Sequence, residues 1–153
     1  VYDAETFDDI FDGQAPTFRE WPDPPATVSD IRLDDSITLS QAGVEPTQLS
    51  SGDVLHLLLT WTLSEPLDRD YKLFVHVADE SGRPLAQWDG LPNLNTARTS
   101  QWPVGESIRE HVLLALPEEM PPGAYQVLAG LYNGETGERV GGQAVRVTEI
   151  VVR

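Results

Sequence analysis

Apolar and polar residues alternate along most of this chain, with a period of two. In "DVLHLLLTWTL", Leu55, Leu57, Leu59, Trp61 and Leu63 fall on one phase, with His56, Thr60 and Thr62 on the other. "YKLFVHVA" sets Tyr71, Leu73, Val75 and Val77 against Lys72, Phe74, His76 and Ala78. "IREHVLLAL" places Ile108, Val112, Leu114 and Leu116 opposite Arg109 and His111, and "AYQVLAGLY" aligns Tyr125, Val127, Ala129 and Leu131. Successive side chains of a strand point to opposite faces, so each segment reads as a strand with one face on a core. Shorter candidates lie near residues 29–33, 36–41, 84–89 and 144–152. No sustained helical period competes with them after residue 28.

Turn residues separate these runs. "DESGRP" and "NGETGE" are Gly-bearing hairpin loops, and "PEEMPPG" is a Pro-rich corner before the strand at Ala124. About eight short strands with such punctuation predict an all-β fold over residues 28–153, an antiparallel β-sandwich of jelly-roll or immunoglobulin-like type. A turn over residues 80–83 sets Val75 opposite Trp88, His76 opposite Gln87 and Phe74 opposite Asp89. Val75, Val77, Ala86 and Trp88 then belong to the core, while His76, Gln87 and Asp89 share the other face.

Residues 1–27 differ: acids are mixed with Phe7, Ile10, Phe11, Phe18 and Trp21, and the stretch ends in a proline cluster. Ala4, Phe7, Ile10 and Phe11 have helical spacing with Asp3 as a candidate N-cap, which predicts one short helix in a terminal strap or linker. Such a helix is too short to stand alone in water. It either packs on the body or docks a neighbouring domain.

Composition narrows the partners. The net charge is −15, from 25 acidic and 10 basic residues, and Lys72 is the one lysine. That field repels nucleic-acid phosphates and anionic headgroups, so neither nucleic acid nor direct membrane insertion is expected, and no run of eighteen apolar residues is present. The chain holds no cysteine, which removes disulfides, thiolate metal sites and cysteine nucleophiles. It begins at Val1, which suggests a piece of a longer protein.

The one long irregular interval, "GLPNLNTARTSQWPVG" over residues 90–105, gathers the chemistry that suits a sugar. Trp102 offers a face for a pyranose ring, and Asp89, Asn93, Asn95 and Arg98 offer hydroxyl partners. A sugar site there requires an exposed Trp102, whereas a plain structural module encloses it. Asp89, Asn93 and Asn95 could also supply oxygen ligands to calcium, although their spacing matches no EF-hand loop. His76 and Gln87 read as a structural polar cluster. His56, His76 and His111 all fall on non-core phases, and three imidazoles can hold zinc. No paired-histidine spacing supports this, so no metal and no cofactor is expected. Nor does any G-x-S-x-G, phosphate-loop or H-E-x-x-H motif occur, which argues for a non-enzyme.

The Trp61 strand, "DYKLFVHV", "QWDGLP", "WPVGE", "LPEEMPPGAYQVLAGLY" and "TGERV" together span about residues 50–141. As a set they resemble the soluble C-terminal β-sandwich module of bacterial glycosyltransferase family 39-like membrane proteins. The resemblance implies a non-catalytic accessory module, extracytoplasmic and tethered to an upstream membrane domain of the same chain. No segment matches that family's catalytic loops, so no catalytic residue carries over. The function expected is weak glycan binding beside a glycosyltransferase, against a purely structural spacer or protein-interaction domain.

Overall fold

The computed structural model describes residues 23–92 and 98–153. The expected helix near Asp3 and the loop residues Asn93 and Asn95 lie outside them. Nine strands are formed among the described residues. They are β1 Ala26–Arg32, β2 Ile37–Glu45, β3 Gln48–Leu49, β4 Val54–Leu63, β5 Lys72–Ala78, β6 Pro84–Gly90, β7 Ser107–Ala115, β8 Gly123–Tyr132 and β9 Val145–Val152. The sandwich starts slightly earlier than the sequence pattern indicates, because β1 already pairs at Ala26, opposite Gly43. The two-residue β3 is too short to show a periodic signal.

A four-stranded sheet, in the order β1-β2-β4-β7, faces a five-stranded one, β3-β9-β8-β5-β6. Pairing is antiparallel throughout except for β3 on β9. Five of the eight successive connections cross from one sheet to the other, while β1–β2, β5–β6 and β8–β9 stay within one sheet as neighbours, a mixture found in immunoglobulin-like sandwiches. A tyrosine corner supports the immunoglobulin-like alternative over the jelly roll: Tyr125, near the start of β8, donates its hydroxyl proton to the Pro121 carbonyl at 2.5 Å. The expected hairpin register is observed, with Val75 opposite Trp88, His76 opposite Gln87 and Phe74 opposite Asp89.

The core lies between the sheets. Leu55, Leu57, Leu59 and Trp61 of β4 are 0% exposed, as are Leu73, Val75 and Val77 of β5. Enclosing one leucine or valine contributes about 1.5–3 kcal/mol, so this stripe alone outweighs most surface interactions. One charged group shares the interior. Glu110 of β7 lies on the same phase as Val112, is 0% exposed, and accepts the Trp61 indole N–H at 2.6 Å. An indole donor held that close offsets part of the cost of taking a carboxylate out of water.

The sandwich is stitched along one side. Thr27 of β1 donates its hydroxyl to the Val147 carbonyl of β9 at 2.5 Å, joining the edge of one sheet to a strand of the other.

Candidate functional site

The face of the five-stranded sheet that points away from the core carries the richest chemistry. Alternation along β5 puts Phe74 and His76 there; register adds Gln87 and Asp89 from β6, and Gly130 and Tyr132 from β8. The β8–β9 connection supplies Arg139. Its turn closes through Gly137, whose N–H donates to the Asn133 carbonyl at 2.7 Å, while the Asn133 N–H donates to Glu138 at 2.8 Å. Gly137 holds a φ of 76°, which favours glycine. The turn thereby brings Arg139 back beside Tyr132. Together these groups line an open depression of about 410 Å³, within the usual range for small-ligand sites.

Phe74 is the floor. It is only 2% exposed, with its ring close against Gly130 and beneath Arg139. A Cβ on Gly130 would come within 2.6 Å of the ring, so glycine is what admits it. The Arg139 guanidinium sits 4.8 Å from the Phe74 ring centroid, in cation–π range. His76 packs at 5.0 Å from the same ring and Tyr132 at 6.0 Å, both tilted.

Protonation follows from this packing. Burial lowers the His76 pKa against the opposing pull of Asp89. The imidazole is therefore neutral at neutral pH, with one nitrogen donating and the other accepting. Burial, then the Asp89 carboxylate, raises the Tyr132 pKa, and Tyr132 is placed to donate a hydrogen bond to Asp89. The depression thus offers donors from Arg139, Gln87 and Tyr132, acceptors from Asp89 and Gln87, and an imidazole that does both. A polyhydroxylated ligand needs such a mixture.

Other expected site residues are placed differently. Trp102 is enclosed, 7% exposed, with its ring 6.4 Å from Trp61. It cannot stack on a sugar there, which corrects the expectation of an exposed platform in the 90–105 loop. The cause is local. The buried Thr99 hydroxyl donates to the Arg69 carbonyl and accepts the Tyr71 N–H, both at 2.8 Å. Ser100 adds hydrogen bonds to Asp70 through its N–H at 3.2 Å and its hydroxyl at 2.5 Å. That hydroxyl is the main reason the Asp70 carboxyl sits below its ordinary range. These bonds pin the 3-10 turn Thr99–Gln101 to the β4–β5 connection and direct the next side chain, Trp102, inward. Arg98 pairs with Asp70 at 3.5 Å. Of the calcium trio only Asp89 is described, and it belongs to the sheet face. Among the described residues no hydrogen bond joins His76 to Gln87; the ring is held by Phe74 instead.

The histidines divide into two and one. His56 of β4 and His111 of β7 meet on the outer face of the four-stranded sheet, Nε2 to Nδ1 at 2.9 Å with rings stacked. His76 lies on the other sheet, across the sandwich. The three therefore do not converge on one ion, and no group of three or more metal-ligating side chains is found among the described residues.

No known protein family's sequence profile matches the chain, and no curated protein matches it in sequence. Solved structures do. The chain is similar to the C-terminal domain of Wzt at a TM-score of 0.59 and 11% identity, covering 90% of this chain and 88% of that one. It is also similar to a Niemann-Pick type C2 protein from the Japanese carpenter ant, at a TM-score of 0.51 and 11% identity, covering 75% of this chain and 91% of that one. At such identity the likeness shows a shared sandwich fold and nothing of its use.

Proposed function

We propose that this chain is a non-catalytic accessory module that binds glycan weakly on the outer face of its five-stranded sheet. One observation carries the reading. Phe74, His76, Gln87, Asp89, Tyr132 and Arg139 converge on one depression although they come from three strands and a turn. The donors and acceptors around the depression suit the hydroxyls of a sugar, while Phe74, enclosed beneath Arg139, holds them in place rather than stacking on the ring. The site is shallow and partly self-satisfied, since Arg139 covers Phe74 and Tyr132 faces Asp89. Binding on the order of 1 mM follows, about −4 kcal/mol. The resemblance of residues 50–141 to modules attached to family 39-like membrane proteins supports an extracytoplasmic place, tethered to an upstream membrane domain.

The test is an amide-shift titration of the chain with a panel of oligosaccharides. Saturable shifts at residues 74, 76, 87, 89, 132 and 139, lost in Arg139→Ala and Asp89→Asn, support the reading. No shift at tens of millimolar, about ten times the proposed constant, defeats it. The spacer reading would then stand ahead, and the enclosure of Trp102 already favours it over any sugar site in the 90–105 loop.

A further inference from the structure

Arg139 lines two depressions at once. One is the sheet-face site described above. The other, of about 320 Å³, is lined by Asp34, Asp68, Arg69, Tyr71, Glu138 and Val140 among others, and Arg139 is the wall the two share. Because Arg139 belongs to the turn after β8, its far side is the end of the sandwich, where connections rather than strands make the walls.

Three connections meet there: β1–β2 brings Asp34, β4–β5 brings Asp68, Arg69 and Tyr71, and β8–β9 brings Glu138 and Val140. Each is braced. The Asp34 carboxylate accepts the Ser36 N–H at 2.8 Å and the Ile37 N–H at 3.1 Å, which closes the β1–β2 turn. The Gln143 side-chain amide donates to the Arg32 and Leu33 carbonyls at 3.0 and 3.1 Å, tying the β8–β9 connection to that turn. Gly141, at a φ of 66°, lets the two backbones approach, since a Cβ there would strike the Leu33 carbonyl. Thr99 fixes the third connection through the Arg69 carbonyl and the Tyr71 N–H. Walls held this way need no ordering when a ligand arrives, a cost that otherwise subtracts from affinity.

The second depression also has what the first lacks. Phe74 is enclosed, whereas Tyr71 is only half-buried, an aromatic side chain that a sugar can still reach. Between them, the Arg139 guanidinium is held over the Phe74 ring and forms no ion pair among the described residues. Its N–H groups are therefore left to serve a ligand on either side.

We infer that the ligand is an uncharged oligosaccharide of at least two units, laid across Arg139 with one unit in each depression. This rests on the glycan reading proposed above. Each depression alone lies in the lower part of the range for small-ligand sites, about 300–1,000 Å³, which suits one unit rather than several. Asp34, Asp68 and Glu138 on one side and Asp89 on the other outnumber Arg69 and Arg139, which disfavours acidic sugars.

Titrations of the chain with glucose, mannose and N-acetylglucosamine, and with the di- and tetrasaccharides of each, test this. In at least one series the tetrasaccharide should bind about tenfold or more tightly than its monosaccharide, as when a second contact becomes intramolecular. Its amide shifts should extend from residues 74, 76, 87 and 89 to residues 34, 69, 71 and 138. Arg69→Ala removes an exposed side chain and leaves the backbone bond to Thr99 intact; it should bring the tetrasaccharide's affinity down towards that of the monosaccharide. Binding that does not depend on length, with shifts confined to the sheet face, overturns the proposal and leaves the glycan reading standing. Tighter binding of a galacturonic acid tetramer than of every neutral tetrasaccharide overturns the uncharged ligand. Silence from every series removes the glycan reading and this proposal with it.

Discussion

His56 makes the stability of this domain depend on pH in a way that a single substitution can isolate. Its pKa is lowered from 6.5 to about 4, first by burial, then by the neighbouring His111, against a smaller opposing pull from Asp23. Unfolded, the imidazole takes its proton near 6.5; folded, it refuses it until about 4. Between those values the unfolded state binds more protons, so stability falls as pH falls through this window and levels off below it. The loss relative to pH 7 is about 2 kcal/mol at pH 5 and about 3 kcal/mol at the plateau. Glutamine reaches toward His111 in a similar way but does not titrate. Urea melts of wild type and His56→Gln at pH 7, 6 and 5 should therefore diverge, wild type losing about 2 kcal/mol more than the variant over that range. His76 is lowered in the same direction but lies on the other sheet, so its slope remains in both proteins and cancels in the comparison; His111, lowered too, touches His56, and any change in its own titration belongs to the difference measured for the pair. Parallel curves would show that His56 is not held neutral by its surroundings, and the packing assigned to the outer face of β4 would be wrong.

Other substitutions follow from particular contacts. Trp61→Phe removes the indole donor from the buried Glu110 carboxylate and should cost at least about 1–3 kcal/mol in denaturant melts; Trp61→Ala adds a cavity and should cost about 3–5 kcal/mol. If the smaller change costs as much as the larger, the cavity is not what matters there. Gly130→Ala drives a Cβ into the Phe74 ring and should displace Arg139, visible as loss of ring-current shifts on its side chain together with any glycan response. Tyr125→Phe breaks the corner bond to Pro121 and should destabilise by about 0.5–1.5 kcal/mol, with no effect on the sheet-face site.

The period-two pattern carried the fold because in a sandwich each strand buries one phase, and that phase is written in every segment from Leu55 to Leu131. The β5–β6 register was legible too, since the "DESGRP" turn leaves one pairing that puts both Val75 and Trp88 inside. Glu110 went unread although it left a signal, as the acid on the core phase of "IREHVLLAL". What alternation could not show were contacts set by strand order. His56 and His111 meet only because β4 and β7 are neighbours, and Arg139 reaches Phe74 only through a turn after β8. Phe74 itself left a signal, a large aromatic on the phase opposite the core, beside His76. Trp102 stayed undecided between an exposed platform and an enclosed plug for a different reason. Its direction is decided by the Thr99 and Ser100 hydroxyls binding the β4–β5 connection, a bracing no periodicity encodes.

The short β3 leaves most of one side of β9 without a full-length strand partner in its own sheet, a site where another chain could add a strand. The Thr27 hydroxyl occupies the Val147 carbonyl on that side and brings β1 against it. A side chain from the facing sheet thus does the work that charged residues or bulges do elsewhere, occupying one carbonyl that an added strand would use. Thr27→Val, nearly equal in size but without the proton, would unmask that carbonyl. Its consequence would be read as self-association and fibrous precipitation at high concentration rather than as lost stability, in a chain whose charge of −15 otherwise keeps its copies apart.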